Sequence, residues 1–405
     1  MPAPKFFKAW TELRHLPRSV WITSAAALIN RLGTMALPFL TLFLIRERGY
    51  ATTQAGLFLS LYGATALIAA PISGRLVDRF GAKKVMVGSF LATSSVVVLV
   101  PWTRGTAPLA LAIFLWALSN ETFRPAVMTN LAGAVGPSQR KQAFALNRWA
   151  VNLGMSFGPA MGGLLAVKSF KLVFLVDGLS SFAAVMVLAF LLPESAPAPK
   201  EEKPPHPFAP LADPRLTVAL LALLPLSTLF FQMDSTVSLL VVQHLKLTPA
   251  TYGLMVAVNT VMIVFLEIPL NHASSAWSHR QTMVVGALFT AAGFGMYGMA
   301  SGFPTLALAT SIWTVGEMIG SPGMAAYVSE VSPPSQRGAY MGLYMMSWSV
   351  AFIIAPWAGT QLFAHLGARM IWPVLAGLGV LSALAFARLP GAANVTTSSA
   401  SPSEA

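Results

Sequence analysis

Long apolar stretches, separated by short polar segments, run along the whole chain. Twelve of them are long enough to cross about 30 Å of hydrocarbon, which takes about 20 residues of helix. Numbered as spans 1 to 12, they cover residues 20–45, 52–73, 84–102, 107–135, 142–167, 172–192, 215–243, 251–271, 282–301, 304–331, 338–363 and 367–389. A segment in lipid must satisfy its own backbone hydrogen bonds, and no alternating ten-residue pattern indicates a barrel. The pattern therefore predicts an all-α polytopic membrane protein with twelve transmembrane helices.

Composition supports a membrane protein. Hydrophobic residues make up 55% of the 405 residues, more than a soluble domain hides easily, and charged residues only 10%. The net charge is +12, but the Lys and Arg residues lie between apolar spans, with no basic face for nucleic acid. Cysteine is absent, which excludes disulfides and thiolate metal sites. We expect the lipid bilayer as a partner, with no nucleic acid, no metal and no cofactor.

The distribution of positive charge orients the spans. With the N-terminus inside, sixteen of the 26 Lys and Arg residues lie in cytoplasmic segments, seven lie on the opposite side and three lie within spans. Cytoplasmic segments of membrane proteins carry the excess of Lys and Arg. We therefore expect both termini in the cytoplasm and the protein in the cytoplasmic (inner) membrane of a bacterium.

The polar segments divide the chain into regions. Residues 1–19 are amphipathic and lack a small-residue cleavage site, which predicts a cytoplasmic surface segment. Residues 193–214 are rich in proline and charge and predict a cytoplasmic linker between two six-helix bundles, 20–192 and 215–389. Residues 390–405 form a low-complexity tail that we expect to be disordered. We expect the protein to be a monomer.

The two halves of the chain carry identical residues at a separation of 197 positions. The tetrapeptide PSQR occurs at 137–140 and at 334–337. Four further identities share this register: Pro125 with Pro322, Leu146 with Leu343, Pro159 with Pro356, and Gly162 with Gly359. Two parallel copies related by an axis along the membrane normal are typical of alternating-access transporters, whose binding site lies at the midplane between the halves. The repeat therefore predicts two pseudo-symmetric bundles.

The loop between spans 2 and 3, GRLVDRFGAKK at 74–84, contains five charges in eleven residues. It resembles motif A of the major facilitator superfamily, G-x-L-a-D-r-x-G-r-k. The pattern is filled by Gly74, Asp78, Arg79, Gly81, Lys83 and Lys84. The resemblance implies a cytoplasmic latch, in which Asp78 faces the positive N-terminal end of span 11 near Gly338. The alternative is a basic loop that only sets orientation, which leaves its aspartate and glycines unexplained.

A second resemblance lies in span 5. GMSFGPAMGG at 154–163 resembles motif C, G-x-x-x-G-P-x-x-G-G, of the exporting antiporters in this superfamily. The pattern is filled by Gly154, Gly158, Pro159, Gly162 and Gly163. Glycines four residues apart line one helical face and permit close helix packing, which is also the alternative explanation of the pattern. The full match favours export over import.

Acidic residues inside the spans need an explanation, because an ionisable group in hydrocarbon costs roughly 2.5–3.5 kcal/mol on insertion scales. The candidates for reversible proton binding are Glu317, Asp234, Glu267 and Glu121. Glu317 lies near the middle of span 10 with no Lys or Arg within one turn, and a helix-10 glutamate in a similar G-E-x-x-x-x-P setting occurs in related antiporters. We expect Glu317 to be the main proton carrier. Asp177 and Glu330 lie near span ends, where we expect capping or extension to the surface.

Three cations also lie within spans: Arg31, Arg124 and Arg148. Arg124 follows Glu121 by three residues, so the two can pair locally, and a permanent structural pair is an open alternative to a functional one. Arg124 directly precedes Pro125, unlike the helix-4 arginine of the family's motif B, so we do not transfer that role. Arg148 can extend towards the cytoplasm.

The substrate cavity is expected to combine aromatic rings with a few polar groups. Aromatic faces and methionines on spans 4, 5, 7, 10 and 11 suit lipophilic, cationic molecules, while lipid-facing bulk is the alternative for any one residue. The candidates are Asn30, Asn120, Trp149, Phe231, Trp313, Tyr344 and Trp348.

The resemblance implies a secondary active transporter for multidrug efflux, which exports lipophilic or cationic small molecules in exchange for protons. The alternatives are a proton-coupled importer of a small metabolite and a non-transporting membrane receptor. We expect no enzyme activity. GMSFG also fits the G-x-S-x-G hydrolase pattern, but Ser156 lies within a span and the six histidines lie in loops or at span ends. The sequence contains no nucleotide-binding P-loop pattern.

Overall fold

The computed structural model of the chain describes residues 14–136, 139–194, 208–333 and 336–389. Most of these residues are helical, and no strand occurs among them. Several sequence predictions fall outside this part of the chain: most of the amphipathic segment, the centre of the linker, the tail, and the first two residues of each PSQR copy.

The helices of the N-terminal half follow the predicted spans closely, and we number them by span. They are α1a (Arg18–Gly33), α1b (Ala36–Arg46), α2 (Thr52–Phe80), α3 (Ala82–Leu99), α4 (Thr106–Ala134), α5 (Arg140–Lys168) and α6 (Phe170–Leu191). A short 3₁₀ turn, Val100–Trp102, extends α3.

The C-terminal half has the same order. Its helices are α7a (Pro214–Phe230), α7b with the π-helical turns Met233–Val237 and Leu240–His244, α8 (Pro249–Ala273), α9 (His279–Met296), α10 (Phe303–Val331), α11 (337–366) and α12 (368–387). Gly367, with a φ of 79°, separates α11 from α12. Only glycine adopts such a φ without strain, so the chain can turn there.

Among the described residues, eight helical stretches are long and apolar enough to cross a membrane, or nine when the bent helix α2 counts as one span. One of the eight contains both α11 and α12. Helices α4 and α10 are also long enough, with 29 residues each, but their polar side chains make them less apolar. The eight stretches contain nine helices, and α2, α4 and α10 bring the number to twelve. The predicted all-α, twelve-helix fold class is confirmed.

The internal repeat extends to the helix boundaries. Helix α3 at Ala82–Leu99 and helix α9 at His279–Met296 begin and end 197 residues apart. Helix α4 at Thr106–Ala134 and helix α10 at Phe303–Val331 have the same separation at both ends. A register that holds at both ends of two helix pairs indicates one ancestral unit present twice.

Spans 1 and 7, predicted as continuous helices, are both interrupted. Helix α1a ends at Gly33 and α1b begins at Ala36, while α7a ends at Phe230 and the π-helical turn begins at Met233. These interruptions are also 197 residues apart. The sequence pattern misses them because the apolar run continues through both gaps.

Packing divides the chain into two compact units. Unit 1 contains Met1–Lys200, Gln232–Val264 and Pro356–His365, and unit 2 contains Glu201–Phe231, Phe265–Ala355 and Leu366–Ala405. Unit 1 therefore combines α1 to α6 with α7b, the first part of α8 and the last turns of α11. The six-and-six division of the sequence into bundles stays a prediction.

An apolar core joins the helices at one end of unit 1. Buried side chains from α1a and from α2 to α6, with Val77 of α2 among them, meet there, including Val20, Met86, Phe123, Leu146 and Leu188. The rings of Phe90 and Phe123 stack with their centroids 3.7 Å apart. This core packs these six helices of the N-terminal half against one another.

Candidate functional site

The interruption of α1 is capped by an acid from another helix. A helix N-terminus leaves backbone N–H groups without intrahelical partners, and lipid supplies no water for them. The main-chain N–H groups of Met35 and Ala36 donate to Oδ2 of Asp177, at 3.1 and 3.0 Å. Asp177 belongs to α6 and is 3% exposed. Asp177 thus caps α1b, while its expected position near the end of a span is wrong, because it lies two turns inside α6.

Polar contacts between α1a and α6 accompany this cap. Asn30 Nδ2 donates to Ser181 Oγ at 3.0 Å, and both residues are buried. Gly33 lies directly against the side chain of Ser180. Asn30 is therefore used in helix packing in this structure, and its predicted contact with substrate stays a prediction.

Charged and polar groups of four helices meet beside this cap. Glu121 Oε1 accepts from Tyr62 at 3.4 Å and from Asn120 at 3.2 Å. Glu121 Oε2 lies 3.9 Å from the guanidinium of Arg124. Arg31 of α1a lies within electrostatic reach of Glu121 and Asp177.

We call Arg31, Tyr62, Glu121, Arg124 and Asp177 the charge cluster. The expected local pair of Glu121 with Arg124 is confirmed, although Arg124 is largely exposed. The candidate Asn120 also donates to the hydroxyl of Tyr62, at 2.8 Å. Proton binding by Glu121 stays a prediction.

The glycines of motif C explain why α5 approaches the interrupted α1. A Cβ atom on Gly154 would lie 2.9 Å from the main-chain oxygen of Leu28, and one on Gly158 would lie 2.8 Å from that of Arg31. A Cβ atom on Gly162 would lie 2.6 Å from the Cβ of Met35. Three glycines on one helical face thus fit the backbone of α1 on both sides of its interruption.

The rest of motif C contacts α8. A Cβ atom on Gly163 would lie 2.8 Å from Cα of Ala250, and the main-chain oxygen of Pro159 lies against Gly253. The repeat provides an equivalent contact between α2 and α11, where a Cβ atom on Gly56 would lie 2.7 Å from the main-chain oxygen of Pro356. We call these contacts the α5–α8 crossing and the α2–α11 crossing, and both lie within unit 1.

Our sequence analysis missed Gly56 and Gly253. The signal was available, because the two glycines are 197 residues apart, like their partners Pro356 and Pro159. The repeat therefore identifies both crossings from sequence once one of them is known.

The predicted proton-binding acids lie on different helices. Asp234 is half-buried in the π-helical turn Met233–Val237, directly after the interruption of α7. Its main-chain oxygen accepts from the Thr41 hydroxyl of α1b at 2.9 Å. π-helical turns are frequent at functional sites, where they reposition a side chain.

The other two acids, Glu317 and Glu267, are also half-buried. Gly316 permits a close approach of α10 to α9, since a Cβ atom there would lie 2.6 Å from Thr290 N. Glu267 lies on α8, and its main-chain oxygen accepts from Asn271 at 2.9 Å.

Aromatic side chains of α10, α11 and the last residue of α7a, with Phe231 directly after it, form one cluster in unit 2. The ring of Phe230 lies 5.9 Å from Trp313 and 5.5 Å from Trp348, centroid to centroid. Phe231 contacts Trp348 at 6.2 Å and stacks on Phe352 at 4.5 Å. We call these five residues the aromatic cluster.

The aromatic cluster includes three predicted cavity residues, and a fourth lies beside it. Tyr344 and Trp348 line a small apolar pocket together with Phe230 and two methionines, Met283 and Met324. The remaining aromatic candidate, Trp149 of α5, belongs to unit 1 and is 39% exposed.

The motif A segment, predicted as a loop, is helical except at Gly81, because α2 extends to Phe80 and α3 begins at Ala82. Its glycines differ in role. Gly81 ends α2 with a φ of 82°, and its N–H donates to Val77 O at 2.8 Å, so glycine is required for this turn. No atom within 4 Å would contact a Cβ atom on Gly74. Asp78 is exposed, and the guanidinium of Arg79 lies 5.1 Å from the Phe80 ring. The latch role of this loop stays a prediction.

The twelve helices, their internal repeat and the packed motif C define the class of the protein, which is a polytopic membrane transporter. The chain belongs to the Major Facilitator Superfamily, whose family model matches residues 23–243 and 226–404. The resemblance drawn from the motif A and motif C residues is therefore confirmed at the level of the family.

Relatives and solved structures cover nearly the whole chain. An uncharacterized MFS-type transporter of Bacillus subtilis, YqjV, is 24% identical over 94% of this chain and 95% of its own length. The multidrug resistance protein MdtH of Aeromonas salmonicida is 24% identical over 93% of this chain and 97% of its own. The nucleoside transporter NupG has a similar fold, with a TM-score of 0.80 and 13% identity over 91% of this chain and 99% of that one.

Proposed function

We propose that this transporter exports lipophilic, cationic small molecules in exchange for protons. The observation that carries the proposal is the packing of motif C, in which Gly154, Gly158 and Gly162 fit α1 and Gly163 fits α8. The resemblance of motif C to exporting antiporters gives the direction of transport. The similarity to a multidrug resistance protein supports the same direction and substrate class.

Proton coupling in this proposal is a competition between protons and substrate. Glu317 is the main carrier, with Asp234 and Glu267 as further proton-binding acids and Glu121 as an additional candidate. Protons that enter from outside neutralise these carboxylates and weaken the binding of a cationic substrate, which leaves outward. Deprotonation towards the cytoplasm restores the negative charge and the affinity for the next substrate.

The substrate site in this proposal uses the aromatic cluster as one surface. Its rings offer stacking area and negative π faces, which attract an organic cation. Each ring contact contributes about 0.5–2 kcal/mol of interaction free energy. Polarizable methionines beside it, Met283 and Met324, adapt to ligands of different shape. These features suit several lipophilic cations better than one polar metabolite.

Gating in this proposal uses the two crossings of unit 1. The α5–α8 and α2–α11 crossings separate to release substrate outward and close again for loading from the cytoplasm. The motif A loop, with Asp78 as its acid, latches the cytoplasmic side in the outward-facing state. The protein works as a monomer in the bacterial inner membrane, with both termini in the cytoplasm.

The experiment is dye transport in liposomes under an imposed pH gradient. Wild type is compared with Glu317→Gln and with the matched control Glu330→Gln on the same helix, α10; the exposed carboxylate of Glu330 lies 3.0 Å from His279 of α9. We expect dye to move against the proton flux in wild type and in the control, and a loss of at least about tenfold in Glu317→Gln.

The other outcomes separate the alternatives. Dye movement in the direction of the protons would make the protein an importer. Dye binding without flux would indicate a receptor. Antiport that survives Glu317→Gln would transfer the carrier role to Asp234 or Glu267.

A further inference from the structure

Asp177 is a buried acid that the proposed proton pathway does not use. Its Oδ2 atom accepts two main-chain N–H groups at the start of α1b, from Met35 and Ala36. An ionised carboxylate binds such donors about twice as strongly as a neutral acceptor and also complements the positive end of the helix. The cap therefore depends on the charge of Asp177.

Arg31 is the cation within electrostatic reach of Asp177. Tyr62 of α2 interacts with both Arg31 and Asp177, and Glu121 of α4 interacts with Arg31. On α3, the residues that contact the neighbouring Gly178 are Ser94, Val97 and Val98, which do not titrate. The motif C face of α5 contributes glycines only.

The opposite side of the same interruption contacts α5. A Cβ atom on Gly158 would lie 2.8, 3.2 and 3.3 Å from the main-chain oxygens of Arg31, Leu32 and Thr34. The interruption of α1 is thus held between a carboxylate on α6 and a glycine of motif C. Movement of α1b relative to α1a changes the contact with Asp177 and also the contact of Gly162 with Met35 and Phe39.

Helix α1b is connected to the acid-bearing part of α7. The hydroxyl of Thr41 donates to the main-chain oxygen of Asp234 at 2.9 Å, and the guanidinium of Arg46 donates to that of Val242 at 3.0 Å. Both contacts lie within unit 1. Displacement of α1b therefore acts directly on the turn that carries Asp234.

We propose that Asp177 is a positioning residue of the transport cycle. Its ionised carboxylate fixes α1b against α6, and through Thr41 it fixes the backbone at Asp234. Loss of the charge releases α1b and favours separation of the α5–α8 crossing. The role in the cycle rests on the proposed proton-coupled export, while the conformational effect is measurable without transport.

The test is a distance measurement in nanodiscs, and the chain suits it because it contains no cysteine. Spin labels at Lys168→Cys on α5 and His244→Cys on α7b, both exposed positions, report the separation of the two helix ends. We expect Asp177→Asn to raise the population of the longer distance roughly tenfold at pH 8 and to reduce its response to acid. Ser181→Ala is the matched control, because it removes the α1–α6 hydrogen bond from Asn30 and keeps the charge.

Two results would overturn the proposal. One is a distance distribution in Asp177→Asn that equals wild type at every pH. The other is the same shift in Ser181→Ala, which would make the effect one of packing, not charge.

If Asp177→Asn does not fold, the labelled pair is titrated in Glu317→Gln instead. A retained response to pH supports Asp177, and its loss assigns the response to Glu317 and overturns the proposal. If dye transport shows no antiport but Asp177→Asn still shifts the measured distance, the proposed function is contradicted and the conformational role of Asp177 is not.

Discussion

Helices α1 and α7 are interrupted at equivalent positions of the repeat, but the two interruptions are stabilised differently. In α1, a carboxylate from another helix, Asp177, accepts the free N–H groups. In α7, Gln232 supplies the bonds from within: its main-chain oxygen accepts from two N–H groups, and its Oε1 accepts from the Thr236 hydroxyl at 2.9 Å. The position equivalent to Asp177 is Val374, which is 47% exposed.

This comparison distinguishes a feature that both halves share, the interruption, from a feature of the N-terminal half, the carboxylate contact. Both copies retain the interruption, so it belongs to the shared architecture. The N-terminal copy holds its interruption with a carboxylate, beside the charge cluster. Hydrogen bonds between amides and hydroxyls keep their strength across pH, whereas those to a carboxylate weaken when the acid is protonated.

The largest effect is expected at Gly158, where α5 meets the interruption of α1. Gly158→Val introduces a side chain against main-chain oxygens that cannot rotate away, so we expect a loss of stability of about 3 kcal/mol or more and no transport. The control is Gly88→Ala on α3, where no atom lies within 4 Å of the new Cβ atom. The measurement is the yield of monodisperse protein and its Tm; equal values for the two variants would contradict the packing described here.

A smaller effect is expected at the α7 interruption. Gln232→Leu removes the acceptor of Thr236 in a fully buried site, which costs about 1–3 kcal/mol. Because the group is neutral, the decrease in Tm is expected to be equal at pH 5.5 and pH 8. A decrease that changes with pH would remove the distinction between the two interruptions.

The smallest effect is expected at the start of α7a, outside the membrane. Burial alone would raise the pKa of the Asp213 carboxyl, but hydrogen bonds from Arg215 and from the Tyr340 hydroxyl outweigh it and lower this pKa. A lowered pKa gives stability that is present above the ordinary value of 3.8 and is lost as the pH falls through the folded value. Asp213→Asn should therefore cost at most about 1 kcal/mol, constant between pH 8 and pH 5. Unfolding curves across this range test it, and a difference that fades near pH 6 would contradict the assignment.

The sequence predicts the helices of this protein better than their interruptions. The apolar spans, the repeat and motif C all follow from local patterns. The cap on α1b does not, because Asp177 lies 142 residues from Met35 and a hydropathy pattern contains no such contact. The repeat itself offers a signal, since Asp177 is an acid whose equivalent, Val374, is apolar.

The predicted site residues also differ in how well the sequence predicts their contacts. Phe231, Trp313, Tyr344 and Trp348 lie close together because helices of one unit present them. Asn30 and Asn120 were predicted from polarity alone, and both are engaged in hydrogen bonds between helices. A single sequence does not distinguish a polar group that joins helices from one that faces a substrate.

The most direct test of the central claim is proton release on substrate binding. A lipophilic cationic dye is added to purified protein in a weakly buffered detergent solution near pH 7, and the pH of the solution is followed. Competition between protons and substrate predicts acidification that saturates with dye binding and decreases in Glu317→Gln but not in Glu330→Gln. Dye binding with no pH change, or with proton uptake, would contradict exchange of protons for substrate.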